Sequence, residues 1–344
     1  MTIILFILIL GVIIFVHELG HFLFAKLTGV YVYEFSLGMG PKLFSKKTKE
    51  TEYCIRAIPI GGFVQLAGEE IDDDKKIPKS KKLYSKTVWQ RFLVMFFGAG
   101  FNFLFAILLL FLIGLFCGAP NYKPIITSVE ANYPAEVAGI AKGDKILSIN
   151  NHKIITMDDV ALYLTIAKTD EATNIEIEKP SGTIRNYNIY PKKETVKKTV
   201  KYVYGISTSG KKQYGIINAV KYTYFKTGSL FRQMAVTIGS LFTGGIKVNQ
   251  LSGPVGIYSI VDQQSKYGFE NILYLIAFLS INVGFINLLP LPAFDGGHIL
   301  FLIIEKIKGS PVKPTTENMI HTVGLFLLMA LMVYITFNDI IKLF

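Results

Sequence analysis

The chain has 344 residues, of which 51% are hydrophobic and 18% charged, whereas a soluble domain is typically about 25% charged. The formal net charge of +11 does not indicate nucleic-acid binding, because the basic residues flank apolar segments, as expected beside anionic lipid. The two cysteines, Cys54 and Cys117, lie far apart and predict neither a disulfide framework nor a thiolate metal site.

Four apolar runs are close to the length of about 20 residues that a helix needs to cross a bilayer. They predict a polytopic α-helical membrane protein with about four transmembrane helices, in Thr2 to Ala25, Phe92 to Gly118, Ile272 to Leu289 and Ile320 to Phe337. The first run lacks the basic leader and the small-residue cleavage site of a signal peptide, so we expect it to be retained.

The first run contains His17-Glu18-Leu19-Gly20-His21. Two histidines at i and i+4 lie on one face of a helix, where both can bind one zinc ion. In metalloproteases with this pattern, the glutamate takes a proton from water that the metal activates for attack on a peptide carbonyl. A cluster that only ties helices together by hydrogen bonds is the alternative, but it does not explain the metal-site spacing.

The location of this pattern adds weight to the catalytic interpretation. A charged side chain at mid-membrane costs about 2.5 to 3.5 kcal/mol on insertion scales, so such residues usually face a cavity and have a function. In a soluble protein the same five residues would be much less specific.

The distribution of lysines predicts the orientation of the chain. Residues 26 to 91 are rich in lysine and therefore predicted to be cytoplasmic by the positive-inside rule. The loop over residues 291 to 318 then lies on the same side. Both termini and the long region 119 to 270 are predicted to be extracytoplasmic, since long translocated domains are largely exempt from the rule.

Residues 119 to 270 read as an inserted, folded α+β domain followed by a helix. Turn signals and alternation predict a short helix at Pro134 to Ala141 and strands at Ile125 to Val129, Lys145 to Ile149, Asn174 to Glu178 and Arg185 to Tyr190. The run Gly143 to Asn150, with the Pro134-Ala135 and Ala138-Gly139 pairs before it, is similar to the core of a PDZ domain. A generic small β-rich domain is the alternative.

A helical apolar pattern continues after this domain. From Tyr224 onward, apolar residues recur at three- and four-residue spacing among basic ones. An amphipathic helix that lies on the outer membrane face fits this pattern best, and packing against the domain is the alternative. The predicted segments are a first transmembrane helix (1–30), a hairpin and basic loop (31–87), a second helix (88–118), a PDZ-like domain (119–195), a linker with the amphipathic helix (196–270) and the last two helices (271–344).

Zinc bound by two histidines needs a third protein ligand and an open position for water. The candidates beside an apolar run are Asp295, His298 and His321. Asp295 follows Pro290 and Pro292, which stop a regular helix. A broken helix is tolerated in a membrane only where protein or a wet cavity covers it, which suits an active site. Asp295 could also cap the helix predicted over 296 to 307, and that role does not exclude metal binding.

These motifs occur in an order that resembles a known family. They are the His-Glu-x-x-His pattern in the first run, Asn287-x-x-Pro-x-Pro-x-x-Asp295-Gly near the third, one PDZ-like domain between the second and third runs, and Ser252-Gly-Pro-Val-Gly256. Together they resemble the site-2 protease family of intramembrane zinc metalloproteases, of the bacterial RseP and RasP type, over nearly the whole chain. Phe294 and Ala99 depart from residues common in the family.

The resemblance implies roles for individual residues. Glu18 would be the general base, and the zinc ligands would be His17, His21 and Asp295. Residues that position the substrate would be Asn102, Asn287, Pro290 and Pro292. A membrane-associated β-hairpin, supplied here by residues 31 to 66 with strand-like runs at Tyr53 to Ile58 and Gly62 to Leu66, would present a strand to an unwound substrate.

The resemblance also implies the substrate class. It implies a plasma-membrane enzyme that cuts single-span membrane proteins within or near their transmembrane segment, such as anti-sigma factors or signal-peptide remnants, after an upstream site-1-type protease has acted. A non-catalytic membrane scaffold is one alternative, against which Glu18 argues. A metal transporter is another, but its spans should carry several polar residues, and the second run has only Asn102.

Overall fold

A computed structural model describes residues 2–69, 74–196, 199–208, 211–244 and 251–342. Within these segments, four helices are long and apolar enough to cross a membrane, namely Thr2–Leu27, Val88–Gly118, Phe269–Asn287 and Pro314–Ile341. Each overlaps one of the four apolar runs in the sequence. The helices agree with the predicted polytopic membrane protein.

The chain forms two compact units, one from Met1–Leu109 with Lys247–Phe344 and the other from Leu110–Ile246. The helices are α1 (Thr2–Leu27), α2 (Val88–Leu112, continued by a π-helical turn at Ile113–Gly118), α3 (Pro134–Val137), α4 (Met157–Ile166), α5 (Ile216–Phe242), α6 (Pro254–Ser265), α7 (Phe269–Asn287), α8 (Asp295–Lys308) and α9 (Pro314–Ile341). Two short 3-10 turns lie at Lys79–Lys81 and Leu83–Ser85.

The strands are short except for the first two. They are β1 (Val32–Lys47), β2 (Glu52–Leu66), β3 (Ala119–Pro120), β4 (Ser128–Val129), β5 (Lys145–Ile149), β6 (His152–Lys153), β7 (Thr173–Glu178), β8 (Ile184–Ile189), β9 (Lys192–Val196), β10 (Thr199–Val203), β11 (Ile206–Ser207) and β12 (Lys212–Gln213). The first two lie in the first unit and the others in the second.

Helix α1 is at the centre of the first unit. Its N-terminal half buries Ile9 and Ile13 against Val261 of α6 and against Leu275 and Leu279 of α7. Its C-terminal half packs in a second cluster with the hairpin and the start of α2, formed by Ala25, Val30, Val32, Leu66, Leu83, Val94 and Met95. Burial of these side chains fixes the helix that carries the His-Glu-x-x-His pattern.

Strands β1 and β2 form a long, bulged hairpin in which Phe35 has Cα partners at both Tyr53 and Val64. Glu34 is buried inside it and accepts hydrogen bonds from Arg56 at 2.6 and 3.0 Å. Burial alone would raise the pKa of Glu34, but Arg56 and Lys42 lower it below its ordinary range. A depressed carboxyl pKa stabilises the fold near neutral pH, and this contribution is lost as the pH falls through that pKa.

The second unit is an α+β domain with its own core. Strands order as β6-β5-β7-β8 in an antiparallel sheet. The core residues are Ile126, Ala135, Ile140, Ile146, Ile149, Ile154, Val160, Ile175, Ile177, Ile189 and Tyr204. The sequence does not predict α4. In place of a strand over Ile125 to Val129, the structure has β4 and an isolated bridge between Ile125 and Lys145. Beyond residue 195, β11 pairs with β4 and β12 pairs with β3.

Helix α5 packs against this domain, which is the alternative position given above for its amphipathic pattern. Lys226 pairs with Asp158 at 2.7 Å, and Arg232 pairs with the fully buried Asp159 at 2.9 Å. Asp159 also forms a capping box with Thr156 at the start of α4. One buried carboxylate therefore both starts α4 and holds α5.

The Ser252 to Gly256 motif starts α6 and is held by the last helix. The backbone N–H groups of Gly253 and Gly256 each donate to Oδ2 of Asp339 in α9, both at 2.8 Å. Asp339 is 4% exposed. Its carboxylate satisfies two donors at the N-terminus of α6, where helices leave such groups unpaired.

Replacing Asp339 by alanine should lower the free energy of unfolding by about 1 to 3 kcal/mol, because buried N–H groups lose a charged acceptor. Asp339→Asn keeps an acceptor oxygen and should lose less. Thermal unfolding in detergent measures both variants. Equal midpoints for wild type and Asp339→Ala would contradict this role.

Candidate metal centre

Three side chains from α1 and α8 converge on one point. The Nε2 atoms of His17 and His21 lie 3.2 Å apart. Oδ2 of Asp295 lies 3.2 Å from Nε2 of His17 and 3.4 Å from Nε2 of His21. Both histidines are buried. The structure thus brings together the two histidines of the sequence motif and the first residue of a helix near the other end of the chain.

The spacing of these atoms fits a tetrahedral zinc ion. Bonds of about 2.0 to 2.2 Å place the ligand atoms of a tetrahedral site about 3.3 to 3.6 Å apart. Oδ2 of Asp295 is buried and makes no hydrogen bond with any residue in the described segments. A buried carboxylate oxygen without a donor, facing two ring nitrogens, has the electron pairs that a cation would use.

Residues of α2 contact the Nδ1 atoms of both imidazole rings, on the side away from the Nε2 atoms. Nδ1 of His21 lies 2.8 Å from the carbonyl oxygen of Val94. A carbonyl only accepts, so Nδ1 carries the ring proton and the lone pair of Nε2 faces the centre. Nδ1 of His17 lies 3.3 Å from the side-chain amide of Asn102. Such outer contacts orient metal ligands and set their tautomer.

Helix α2 reaches the histidines because two glycines face each other. A Cβ on Gly98 of α2 would overlap Nε2 of His21, and a Cβ on Gly20 of α1 would overlap the carbonyl oxygen of Phe97. One turn away, Phe24 and Phe97 stack with their ring centroids 3.6 Å apart. Small residues at a helix contact allow this approach of the backbones in a membrane.

Helix α9 supports the loop that precedes Asp295. Ala293 has a φ of +70°, which costs a residue with a side chain about 1 to 3 kcal/mol unless its surroundings hold it there. The N–H of Ala293 donates to Nδ1 of His321 at 3.0 Å. A Cβ on Gly324 would overlap Pro292. The close packing of α9 therefore determines where Asp295 begins its helix.

The other two ligand candidates from the sequence lie in a separate cluster. His298 and His321 stack with ring centroids 3.9 Å apart, and His298 pairs with Glu317 at 3.1 Å. Because Nδ1 of His321 accepts a hydrogen bond from the N–H of Ala293, the ring proton of the neutral side chain is on Nε2, which then has no lone pair for a metal. Of the three candidates, the structure brings Asp295 to His17 and His21.

Glu18 lies against the hairpin. Its Cγ is 3.6 Å from the position that a Cβ on Gly62 would occupy. Gly62 belongs to β2 and pairs with Leu37 of β1. The side chain adjacent in sequence to His17 therefore lies beside β2.

The four residues expected to position the substrate lie on three elements. Asn102 is on α2, and Asn287 is the last residue of α7. Pro290 is exposed, and the half-buried Pro292 packs on α9 at Gly324. Among these four, Asn102 is the residue whose side chain contacts a histidine of the centre in the described part of the chain.

Two residues beside the centre were not found from the sequence. Ser280 of α7 donates to the main-chain carbonyl of Asn102 at 3.0 Å. It is a polar residue inside an apolar run, which was an available signal. Val94 acts through its backbone carbonyl. Because every residue has such an acceptor, this role cannot be inferred from the residue type.

Residues 5–331 of the chain match the model of peptidase family M50. The chain therefore belongs to peptidase family M50, the site-2 protease family. Its four helices that are long and apolar enough to cross a membrane, and its cluster of two histidines and an aspartate, agree with this assignment. It is a zinc metalloprotease of the membrane, with Zn²⁺ as its cofactor.

Its relatives carry the same activity in their names. Zinc metalloprotease RasP of Bacillus licheniformis is 31% identical, with 100% of this chain and 99% of the relative covered. The regulator of sigma-W protease RasP of Bacillus subtilis is 32% identical with the same coverage. A Clostridium perfringens protein is 37% identical, with 99% of each chain covered. The chain is similar to these proteins over essentially its full length.

Gly98→Ala should abolish zinc binding, because the added methyl group occupies the space of Nε2 of His21. Elemental analysis of the purified full chain measures the bound zinc.

Gly100→Ala on the same helix is the matched control. A Cβ there meets the ring atoms of Phe97 at 3.1 Å and of Phe96 at 3.4 Å, which can shift, and alanine is favoured over glycine in a helix by about 1 kcal/mol. This variant should keep its zinc. Full zinc content in Gly98→Ala would refute the close contact of α2 with the centre.

Proposed function

We propose that the protein cleaves single-span membrane proteins within or near their transmembrane segment, with zinc held by His17, His21 and Asp295 and with Glu18 as general base. The observation that carries this proposal is the convergence of two Nε2 atoms of α1 and one Oδ2 atom of α8 at 3.2 to 3.4 Å. The match to a family of membrane metalloproteases supports it.

When bound, zinc polarises the peptide carbonyl and activates the attacking water. Glu18 accepts the proton of that water at its carboxylate and passes it to the nitrogen of the departing peptide strand. His21 keeps its ring proton on Nδ1, where it faces the carbonyl of Val94, so it acts as a neutral ligand and leaves proton transfer to Glu18. The Gly20–Gly98 contact closes the site on the side of α2.

The hairpin is proposed to receive the substrate as an extended strand. A transmembrane helix must unwind before its peptide bonds reach the centre, and each unpaired backbone group in a membrane costs several kcal/mol. Strand addition along residues 62–66 of β2, beside Glu18, would pair these groups. Asn102, Asn287, Pro290 and Pro292 are proposed to hold the strand near the metal.

The lysine distribution supports an orientation in the plasma membrane. Residues 26–91 and 291–318 are proposed to be cytoplasmic, and both termini and the inserted domain to be extracytoplasmic. The inserted domain, which we interpret as PDZ-like, would act as a size filter or docking surface for substrates already trimmed by an upstream site-1-type protease. One relative is named a regulator of sigma-W protease. Anti-sigma factors and signal-peptide remnants are proposed here as the substrate classes.

Glu18→Gln should lower cleavage of a model single-span substrate about 10²- to 10⁴-fold, the usual contribution of a general base, and leave bound zinc unchanged. Asp295→Ala should lose both zinc and cleavage. Product formation in reconstituted membranes and zinc content measure the two effects. Cleavage by Glu18→Gln at the wild-type rate would refute the proposed mechanism, and full zinc in Asp295→Ala would remove that residue from the ligand set.

The proposed orientation predicts the accessibility of two engineered cysteines in a Cys54→Ala, Cys117→Ala background. Ser181→Cys lies in an exposed turn of the inserted domain and should react with an impermeant maleimide on intact cells. Lys49→Cys lies in the exposed hairpin turn and should react only after permeabilisation. The reverse labelling pattern would contradict the proposed orientation and indicate the opposite one.

A further inference from the structure

Asn102 and Ser280 are two fully buried polar residues that meet beside the centre. Each has 0% of its surface exposed. The amide of Asn102 lies 3.3 Å from Nδ1 of His17. On its other side, Oγ of Ser280 lies 3.0 Å from the main-chain oxygen of Asn102 and 3.4 Å from its Oδ1. Buried polar groups of this kind need complete pairing in an apolar environment.

The tautomer of His17 decides which way the amide must face. If Nε2 of His17 binds zinc, the proton of the neutral ring is on Nδ1, which then needs an acceptor. If the NH₂ group of Asn102 faced it, Nδ1 would have to accept and the proton would move to Nε2. A half-turn of the amide presents its oxygen to His17 instead.

With that orientation, every polar atom in the group has a partner. Nδ1–H of His17 donates to the side-chain oxygen of Asn102. The NH₂ group of Asn102 donates to Oγ of Ser280, and the hydroxyl of Ser280 donates to the main-chain oxygen of Asn102. The first two donors run from the zinc ligand on α1 through α2 to α7, and the Ser280 hydroxyl then donates back to the backbone of α2.

We propose that Ser280 and Asn102 form a hydrogen-bond chain that fixes the ring proton of His17 on Nδ1 and so points its Nε2 at zinc. Asn102 is then a positioning residue for a metal ligand, a role separate from the substrate contact that the family resemblance implies for it. The inference rests on the proposed zinc site. Outer partners of metal-bound histidines typically contribute about 10- to 100-fold to metal affinity.

The test is the zinc dissociation constant of the detergent-solubilised full chain, measured by competition with a chelator. Asn102→Leu has a similar volume but no acceptor, and should weaken zinc binding about 10- to 100-fold. Asn102→Asp keeps an acceptor oxygen and should bind zinc at least as tightly as the wild type. Ser280→Ala removes only the second link and should weaken binding by a smaller factor.

Cleavage kinetics at saturating zinc separate the alternatives. A role in substrate contact alone would raise KM or lower kcat in Asn102→Leu while leaving the zinc dissociation constant unchanged, and a role in packing alone would change neither. Either result overturns the proposal. If Asn102→Leu does not fold, Ser280→Ala decides, because an unchanged zinc affinity in that variant also overturns it. Failure of the proteolytic function would instead appear as wild type that binds zinc without cleaving substrate.

Discussion

The close contact between α1 and α2 is the constraint on which the metal centre depends. Because Gly20 and Gly98 have no side chains, the backbone of α2 reaches the histidines of α1. The same contact supplies the carbonyl of Val94 and the amide of Asn102 to the two rings. A membrane offers no water to pair these Nδ1 protons, so the neighbouring helix has to do so.

Asp295, the proposed third ligand, is held by different means. Asp295 follows a loop that contains two prolines and a residue with positive φ, and its position depends on the helices packed around that loop. Nδ1 of His321 accepts a hydrogen bond from the N–H of Ala293, and Gly324 leaves room for Pro292. The centre therefore combines two ligands on a straight helix with one on an irregular segment that tertiary contacts hold in place.

Much of this could be predicted from residue pattern. The i, i+4 histidines, the four apolar helices and the aspartate at a proline-broken helix are all visible in the sequence, because each depends on spacing or hydropathy. The positive φ of Ala293, the carbonyl of Val94 and the proton position on His321 are not, because they are set by tertiary contact. The return of the chain beyond residue 195 to β3 and β4 was also missed, since such short strands show little periodicity. Helix α4 was missed as well.

Helix α9 lies outside the proposed zinc site, yet it supports both halves of the proposed ligand set, one of them through α6. Through Pro292 it contacts the loop of Asp295, and through Asp339 it holds α6, which packs by Val261 on α1. Its inward residues, from His321 and Gly324 to Ile335 and Asp339, form one stripe, while most of its remaining surface is exposed. Substitutions on the exposed side of α9 should therefore be tolerated, whereas substitutions in its buried stripe should disturb both contacts.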